Sequence, residues 1–193
     1  HRFCREALVQ WGEQRLAEAK QQMPAMQDVV VRFPDVVFDE EMHIHFGKRT
    51  LRLIHLPGHT EDSIGVMVEG DRILFSGDAV MPVPYIPWGN REHLRKSLAI
   101  VLTMKPEMIV QGHGEILLRG EVAETVESSV KYLDNIEVRV AEVIKRGGTE
   151  AELRKIDIEA CGRSRIPLDG LVSQLHQANL RAIYKQAKRS RAF

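Results

Sequence analysis

Three short stretches of the sequence place a glycine directly before a side chain that can bind a metal ion: Gly58-His59, Gly77-Asp78 and Gly112-His113. Each pair follows the end of a predicted strand, over residues 50–56, 72–76 and 108–110. Because the loops at one edge of a sheet converge in space, we expect the two imidazoles and the carboxylate to lie close together. Glycine tolerates backbone conformations that other residues avoid, so a tight turn can direct the next side chain over the sheet edge. This donor set suits zinc, manganese or iron.

The hydrophobic pattern predicts strands mainly in the first part of the chain and helices in the last. Further strands are predicted over residues 29–33, 36–38, 42–46 and 64–68. Helices are predicted over residues 2–22, 90–104, 122–144 and 149–162. A last helix carries Leu171, Leu175, Ala182 and Ile183 on one side, and the first carries Phe3, Ala7, Leu8 and Trp11 on one face. The pattern therefore indicates a sheet covered by helices, of class α/β or α+β.

The length of 193 residues predicts a single domain, with a sheet and metal-loop region over residues 1–119 and a helical region over residues 120–193. The net charge of zero argues against a nucleic-acid partner, because no basic excess is available to meet phosphates. No apolar run is long enough to span a membrane, so no membrane partner is expected. The two cysteines, Cys4 and Cys161, have no paired spacing, which favours a cytoplasmic location.

The motifs PGHT at 57–60, SGD at 76–78 and GHG at 112–114 resemble those of the metallo-β-lactamase-fold hydrolases. The resemblance runs from about Leu51 to Leu117. It implies the C-terminal portion of an αββα sandwich with extra C-terminal helices. It also implies that His59 binds one metal ion, that Asp78 bridges two as the catalytic carboxylate, and that His113 binds the second. Thr60 and Ser63 are expected to hold the His59 loop in place.

One part of the family pattern is absent. The family's main motif, His-x-His-x-Asp-His, supplies most of the metal ligands, and this sequence does not contain it. The segment 43–45, His-Ile-His, is not followed by Asp-His, and we interpret it as part of a strand. His55 is also interpreted as a strand residue, and His93 and His176 as structural or surface residues of helices. The chain begins at His1, so we expect the domain to be incomplete at its N-terminus.

The resemblance implies a hydrolase with two zinc ions, or iron or manganese, that activates water against an ester, thioester, amide or phosphoester in a small-molecule substrate. It does not choose among β-lactams, thioesters, lactones and phosphodiesters. This chain would supply only two ligands to each metal ion, whereas a catalytic zinc normally has about three protein ligands. We therefore expect this chain alone to bind metal poorly and to be inactive. Two other functions stay open, an iron-dependent oxidoreductase on the same fold and a non-catalytic binding or oligomerisation module. The Pro-rich loop 79–89 offers Tyr85 and Trp88 as walls of a substrate pocket.

Half of a sandwich would leave one apolar face of the sheet without a partner. The residues expected on that face are Leu51, Leu53, Ile64, Val66, Ile73 and Phe75. Because monomers rarely expose large apolar patches, we expect this face to be covered. The expected partner is either an N-terminal complement or a second copy in a homodimer, with or without exchange of the helix over residues 2–22.

Overall fold

The structure is a computed structural model that describes residues 5–32 and 34–190, and the side chains of residues 12–32 and 34–189. Its strands are β1 Glu41–Phe46, β2 Arg49–His55, β3 Ile64–Val68, β4 Ile73–Gly77, β5 Met108–Gln111 and β6 Leu117–Leu118. Its helices are α1 Arg5–Gln22, α2 Arg91–Met104, α3 Arg119–Lys145 and α4 Leu171–Ser190. Short 3-10 turns occupy Pro24–Met26, Glu150–Lys155, Glu159–Cys161 and Leu168–Gly170. This mixture of one sheet and several helices confirms the predicted α/β class.

The six strands lie side by side in the order in which they occur along the chain. Strands β1 to β4 form an antiparallel meander, β5 runs parallel to β4, and β6 returns antiparallel to β5. Helix α2 makes the crossover that a parallel pair requires. Since β2 and β4 are both antiparallel to β3, the strands β2, β4 and β5 all end at the same edge of the sheet. The loops that follow these three strands therefore lie at the same edge, as predicted.

One face of the sheet is buried under helices α2 and α3. Ile54 on β2, Leu74 on β4 and Ile109 on β5 are 5%, 0% and 0% exposed. They share one core with the inward side chains of the helices, among them Leu94, Leu98, Val101, Val126 and Leu133. This apolar contact, more than helix propensity, accounts for the placement of α2 and α3 on the sheet.

The opposite face of the sheet is apolar but largely uncovered. Its residues pair across the strands in rows, such as Leu53 with Val66 and Val66 with Phe75, with Val110 next to Phe75. Among the paired residues of this face, Val68 alone is buried, and Phe75 is 47% exposed. We refer to this surface as the open sheet face. It comprises Met42, Ile44, Leu51, Leu53, Ile64, Val66, Val68, Ile73, Phe75, Met108 and Val110.

Two predicted strands are wrong. In the described part of residues 28–40 no strand forms, although 29–33 and 36–38 are rich in valine. Val30 is 60% and Val36 is 65% exposed. A β-rich segment needs a neighbouring strand to pair with its backbone, and here the chain does not add to the free edge of β1. Pro34, which has no N–H to donate, also interrupts the run.

The predicted helix over residues 149–162 is also wrong. The side chain of Glu152 does accept from the Thr149 N–H at 3.0 Å, as a capping box requires. The chain nevertheless leaves the helical conformation at Ile156, whose carbonyl accepts hydrogen bonds from α4 instead of from its own segment. A second turn then ends at Gly162, at a φ of 88°. Tertiary hydrogen bonds have overridden a correct local start signal.

The first helix is confirmed over Arg5–Gln22, but Phe3 and the side chains of Ala7, Leu8 and Trp11 lie outside the described residues. Helix α4 matches the predicted side only in part, since Ile183 packs against the core. Its buried residues are Val172, His176, Asn179 and Leu180, whereas Leu171 is 45% exposed. The prediction assumed an apolar buried stripe, and the real stripe contains two polar side chains. Among the described helices, none combines the length and the apolar character that a membrane crossing requires.

The polar side chains of α4 form a buried network with α3. The Tyr132 hydroxyl lies 2.9 Å from His176 Nδ1, and Asn179 Nδ2 donates to that hydroxyl at 3.1 Å. His176 Nε2 donates to the Ile156 carbonyl at 3.0 Å. A carbonyl can only accept, so the hydrogen of neutral His176 lies on Nε2 and Nδ1 accepts from Tyr132. Every member of the network has a partner, which offsets the cost of its burial.

We expect the 193-residue chain to associate with itself or to bind a hydrophobic dye through the open sheet face. Replacing Phe75 by glutamine should reduce both effects, because it removes exposed apolar surface from the middle of that face. Ile100→Gln is the matched control, since Ile100 is 40% exposed but lies on α2. Light scattering and dye fluorescence measure the two effects. A monomer of 22.0 kDa that binds no dye would show that the open sheet face needs no partner.

We also expect His176 to make the stability of the chain depend on pH. Burial lowers the pKa of His176 below its ordinary value of 6.5, against the opposing effects of the Ile156 carbonyl and Asp157. The folded state thus favours the neutral ring. Neutral His176 therefore contributes to the free energy of unfolding. This contribution is fully present above about pH 6.5 and is lost as the pH falls through the pKa of His176 in the folded state.

Thermal unfolding between neutral and mildly acidic pH tests this expectation. The Tm of the wild-type chain should fall more steeply with acidification than that of His176→Gln, which has no titrating ring. His43→Gln, on the exposed strand β1, should keep the wild-type slope. Equal slopes for wild type and His176→Gln would contradict the expectation.

Candidate metal centre

Three loops at one edge of the sheet bring His59, Asp78 and His113 together. His59 follows β2, Asp78 follows β4 and His113 follows β5. His59 Nε2 lies 3.4 Å from Asp78 Oδ2, and His113 Nε2 lies 3.7 Å from Asp78 Oδ1. The two imidazoles therefore face opposite oxygens of one carboxylate, which is the arrangement of a group that can be shared between two cations.

The side chains become progressively more exposed across the site. His59 is 8% exposed as a residue, whereas the side chains of Asp78 and His113 are 32% and 57% exposed. The inner half of the site, at His59, is thus enclosed by protein. The outer half, at His113, is open, so a ligand or another segment of protein could approach there.

The His59 ring is fixed by a backbone carbonyl. Its Nδ1 lies 3.1 Å from the carbonyl oxygen of Tyr85, which can only accept a hydrogen bond. The neutral ring then carries its hydrogen on Nδ1, which leaves Nε2 with a lone pair 3.4 Å from Asp78 Oδ2. A positive charge placed between that lone pair and the carboxylate oxygen would be stabilised by both of them. Metal-binding histidines commonly donate their other N–H to a carbonyl in this way, so the donor set fits a metal ion.

The glycine before His113 is required by the packing of the site itself. A Cβ atom on Gly112 would lie 1.9 Å from Asp78 Oδ1 and 2.9 Å from the carbonyl carbon of Gly77. Both distances are far inside van der Waals contact. Any side chain at position 112 would therefore displace the carboxylate that the two histidines face.

Helix α2 holds the His59 loop from the other side. Gly58 has a φ of +135°, and a Cβ there would lie 2.3 Å from the Cα of Leu94. The Asn90 N–H, at the start of α2, donates to the Gly58 carbonyl at 2.9 Å. The Ser97 hydroxyl donates to the Pro57 carbonyl at 2.6 Å. The helix and the loop are thus joined by close contact and by two hydrogen bonds.

Thr60 and Ser63 close the same loop. Their hydroxyl oxygens are 2.8 Å apart, and the Thr60 N–H donates to Ser63 Oγ at 3.2 Å. The Leu56 N–H donates to the Ser63 carbonyl at 2.9 Å. These contacts restrict the loop on both sides of His59 without touching the ring.

The aromatic side chains of the Pro-rich loop surround His59. The ring of Tyr85 lies 5.7 Å from that of His59, and the ring of Trp88 lies 6.3 Å from it. Tyr85 and Trp88 meet edge to face at 5.3 Å. Trp88 is 64% exposed, so it forms a wall that solvent reaches beside the buried histidine.

None of the other described histidines completes a group of three metal-binding side chains with these residues. His45 contacts the Thr50 hydroxyl at 3.1 Å, on an exposed hairpin. His55 contacts the Glu61 carbonyl at 2.7 Å, and His93 lies 3.4 Å from the Glu61 carboxylate. His176 belongs to the network of α3 and α4. His1 lies outside the described residues.

The set is smaller than a complete metal site. Within the described residues, no group of three or more His, Cys, Asp or Glu side chains is arranged to hold a single metal ion. Each position beside Asp78 has one imidazole and one carboxylate oxygen. A catalytic zinc normally has about three protein ligands and a water, so each position would need donors from elsewhere.

Sequence reasoning missed the residues that hold the site from behind. Ser97 is one of them, through its bond to the Pro57 carbonyl. Asn179, on α4, is another, through its bonds to the Pro84 carbonyl and the Ile86 N–H of the Pro-rich loop. Each is a polar residue on an otherwise buried helix face: Ser97 lies beside Leu94 and Leu98, and Asn179 beside Leu180. That mismatch with the apolar pattern is the signal that could have identified them.

Comparison with known proteins gives the family to which these features correspond. The family model described as the metallo-beta-lactamase superfamily matches residues 5–113. A beta-lactamase-like protein 2 homolog from Caenorhabditis elegans is 26% identical over 120 residues, which cover 62% of this chain and 39% of that protein. The chain therefore spans less than half the length of this relative.

Solved structures show the same fold. A metallo-beta-lactamase family protein from Thermus thermophilus matches with a TM-score of 0.61 at 14% identity, over 96% of this chain and 60% of that one. A stereoselective inverting sec-alkylsulfatase from Pseudomonas sp. matches with a TM-score of 0.60 at 13% identity, over 80% of this chain and 26% of that one. At these identities the likeness establishes the fold.

We expect Gly112→Ala to lower the free energy of unfolding by about 1–3 kcal/mol, because the added methyl overpacks the contact with Asp78. Gly120→Ala is the matched control. A Cβ at Gly120 would meet nothing within 4 Å, and alanine is favoured in a helix. Denaturant unfolding of both variants measures the difference. A Gly112→Ala protein as stable as the wild type would show that the Asp78 loop does not pack as described.

Proposed function

The chain belongs to the metallo-β-lactamase superfamily, and we propose that it supplies part of the active site of a metal-dependent hydrolase. His59, Asp78 and His113 would hold a pair of metal ions, with zinc as the expected metal. The observation that supports this proposal is the position of one carboxylate between two imidazoles. His59 Nε2 and His113 Nε2 lie 3.4 and 3.7 Å from its opposite oxygens.

Asp78 is the residue on which the proposed site depends. Its two oxygens would each serve one metal position, so both positions are lost if it is replaced. When bound, the metal ions would supply Lewis-acid activation of water and of the scissile bond. The residues of this chain would set the distance between the two metal positions. They would also shield the inner position, at His59, from bulk water.

Tyr85 and Trp88 would form one side of the substrate pocket in this proposal. Their rings lie next to His59, and Trp88 presents an exposed apolar surface. Such a wall suits an organic, partly apolar acyl or phosphoryl compound. The chemical class of the substrate would be set by groups opposite this wall.

The open sheet face and the incomplete ligand set lead to a common proposal. A second apolar layer over the open sheet face would bury it, and the same layer could carry the missing donors to the metal positions. That layer would come from an N-terminal complement or from a second copy of the chain. The exposed side of His113 is open to such an addition.

Zinc titration calorimetry on the 193-residue chain tests the ligand set. We expect weak binding that Asp78→Asn abolishes and that His59→Gln and His113→Gln each reduce. The matched control is His43→Gln, whose ring lies on an exposed edge strand away from the site. Zinc binding that survives Asp78→Asn unchanged would contradict the assignment.

Metal analysis of the complete protein tests the reaction class. We expect bound zinc together with hydrolysis of at least one chromogenic β-lactam, thioester or phosphodiester, and loss of that hydrolysis in Asp78→Asn. Iron as the bound metal, with consumption of dioxygen and no hydrolysis, would contradict the hydrolase and favour an oxidoreductase. A protein that hydrolyses none of these compounds with its metal bound would also contradict it.

A further inference from the structure

Asn179 of helix α4 binds the Pro-rich loop at two backbone positions. Its Nδ2 donates to the Pro84 carbonyl at 2.7 Å, and its Oδ1 accepts from the Ile86 N–H at 3.0 Å. These two positions lie on either side of Tyr85. Asn179 itself is 0% exposed. A single buried amide therefore fixes the peptide groups that flank one residue of the loop.

The residue between them is the one that holds His59. The Tyr85 carbonyl accepts the hydrogen bond from His59 Nδ1 at 3.1 Å. Hydrogen bonds therefore run from α4 through the backbone of residues 84–86 to the imidazole of His59. We refer to Asn179 with its two loop bonds as the Asn179 clamp.

The direction of the clamp is unambiguous. The Pro84 carbonyl can only accept and the Ile86 N–H can only donate, so the amide of Asn179 has one orientation that satisfies both. The Tyr132 hydroxyl accepts a second hydrogen bond from Asn179 Nδ2 at 3.1 Å and donates its own hydrogen to His176. The clamp is thus held in its orientation by the buried network of α3 and α4.

We propose that Asn179 is a positioning residue for His59, which fixes the Tyr85 carbonyl and thereby keeps the hydrogen of the neutral imidazole on Nδ1. The consequence for metal binding rests on the proposed function, because only then does the free Nε2 act as a ligand. The family match ends at His113, so the clamp comes from a helix outside the matched segment. In this way α4 would control the tautomer of His59 without contributing a ligand to the site.

A purely structural role does not require this arrangement. A leucine at position 179 could fill a similar volume in the core, whereas a buried amide has to recover the cost of its desolvation through hydrogen bonds. Asn179 directs both ends of its amide at the loop on either side of Tyr85. The geometry points to the loop, and through it to His59, as the purpose of the buried amide.

The test compares Asn179→Leu with Leu180→Ala in the 193-residue chain. Leu180 is also 0% exposed on α4, and its truncation destabilises the same core without removing a bond to the loop. Nitrogen-15 NMR of the histidine rings at mildly alkaline pH reports the tautomer, with His59→Gln used to assign the signals of His59. The Tm of each variant reports the loss of stability separately.

We expect Asn179→Leu to lose the uniform Nδ1–H tautomer of His59 and Leu180→Ala to keep it, although both lower the Tm. An unchanged tautomer in Asn179→Leu, or an equal change in Leu180→Ala, would overturn the proposal. If Asn179→Leu does not fold, Asn179→Ala takes its place, since alanine removes the same bonds and places no methyl groups against the loop. The same two outcomes then decide.

Zinc binding separates this proposal from the proposed function. Where the complete protein binds zinc, we expect Asn179→Leu to weaken its affinity about 10- to 100-fold, the usual effect of losing a partner that orients a ligand. The tautomer is measured without metal. If the wild type does not bind zinc but Asn179→Leu still changes the tautomer, only the metal site is contradicted. If Asn179→Leu binds zinc normally and its tautomer is unchanged, only the clamp is contradicted.

Discussion

The architecture of this chain is organised around the carboxylate of Asp78, which lies between two imidazoles. His59 Nε2 and His113 Nε2 approach its opposite oxygens at 3.4 and 3.7 Å. With Nδ1 of His59 bonded to a carbonyl, Nε2 keeps a lone pair beside the carboxylate, and a positive charge between the two groups would be stabilised by both. Much of the surrounding structure serves to keep this contact in place. Three strands, β2, β4 and β5, end at the same edge of the sheet. Helix α2 packs on the His59 loop, and Gly112 leaves room for the Asp78 side chain.

The sequence predicts much of this arrangement because its signals are local. Short apolar runs and the turn residues between them located β1 to β5, and Asn90 marked the start of α2, where its side chain accepts from the N–H groups of Glu92 and His93. A glycine before each donor indicated the three turns. Six residues of the open sheet face, Leu51 and Phe75 among them, were also identified. They share one parity along their strands, and the half-sandwich implied by the family resemblance predicted that their face lacks a partner.

The parts that could not be predicted depend on distant contacts. Valines at 29–31 carry a strand signal but do not pair with the edge strand β1. The capping box at Thr149 starts only a 3-10 turn because α4 takes the Ile156 carbonyl. The role of Asn179 depends on a loop that lies 93 and 95 positions away in the sequence. No periodicity within α4 indicates which loop that amide meets. Local patterns thus predict the secondary-structure elements and the metal-binding side chains. The residues that hold those side chains in place are set by tertiary packing.

The most direct test is to determine whether metal ions bind at the proposed positions. Crystals of the complete protein grown with zinc, measured at the zinc absorption edge, would show each ion as an anomalous peak. The account predicts two peaks about 3.5–4 Å apart, one beside His59 and one beside His113, with Asp78 between them. Fully occupied zinc that contacts neither oxygen of Asp78 would contradict it.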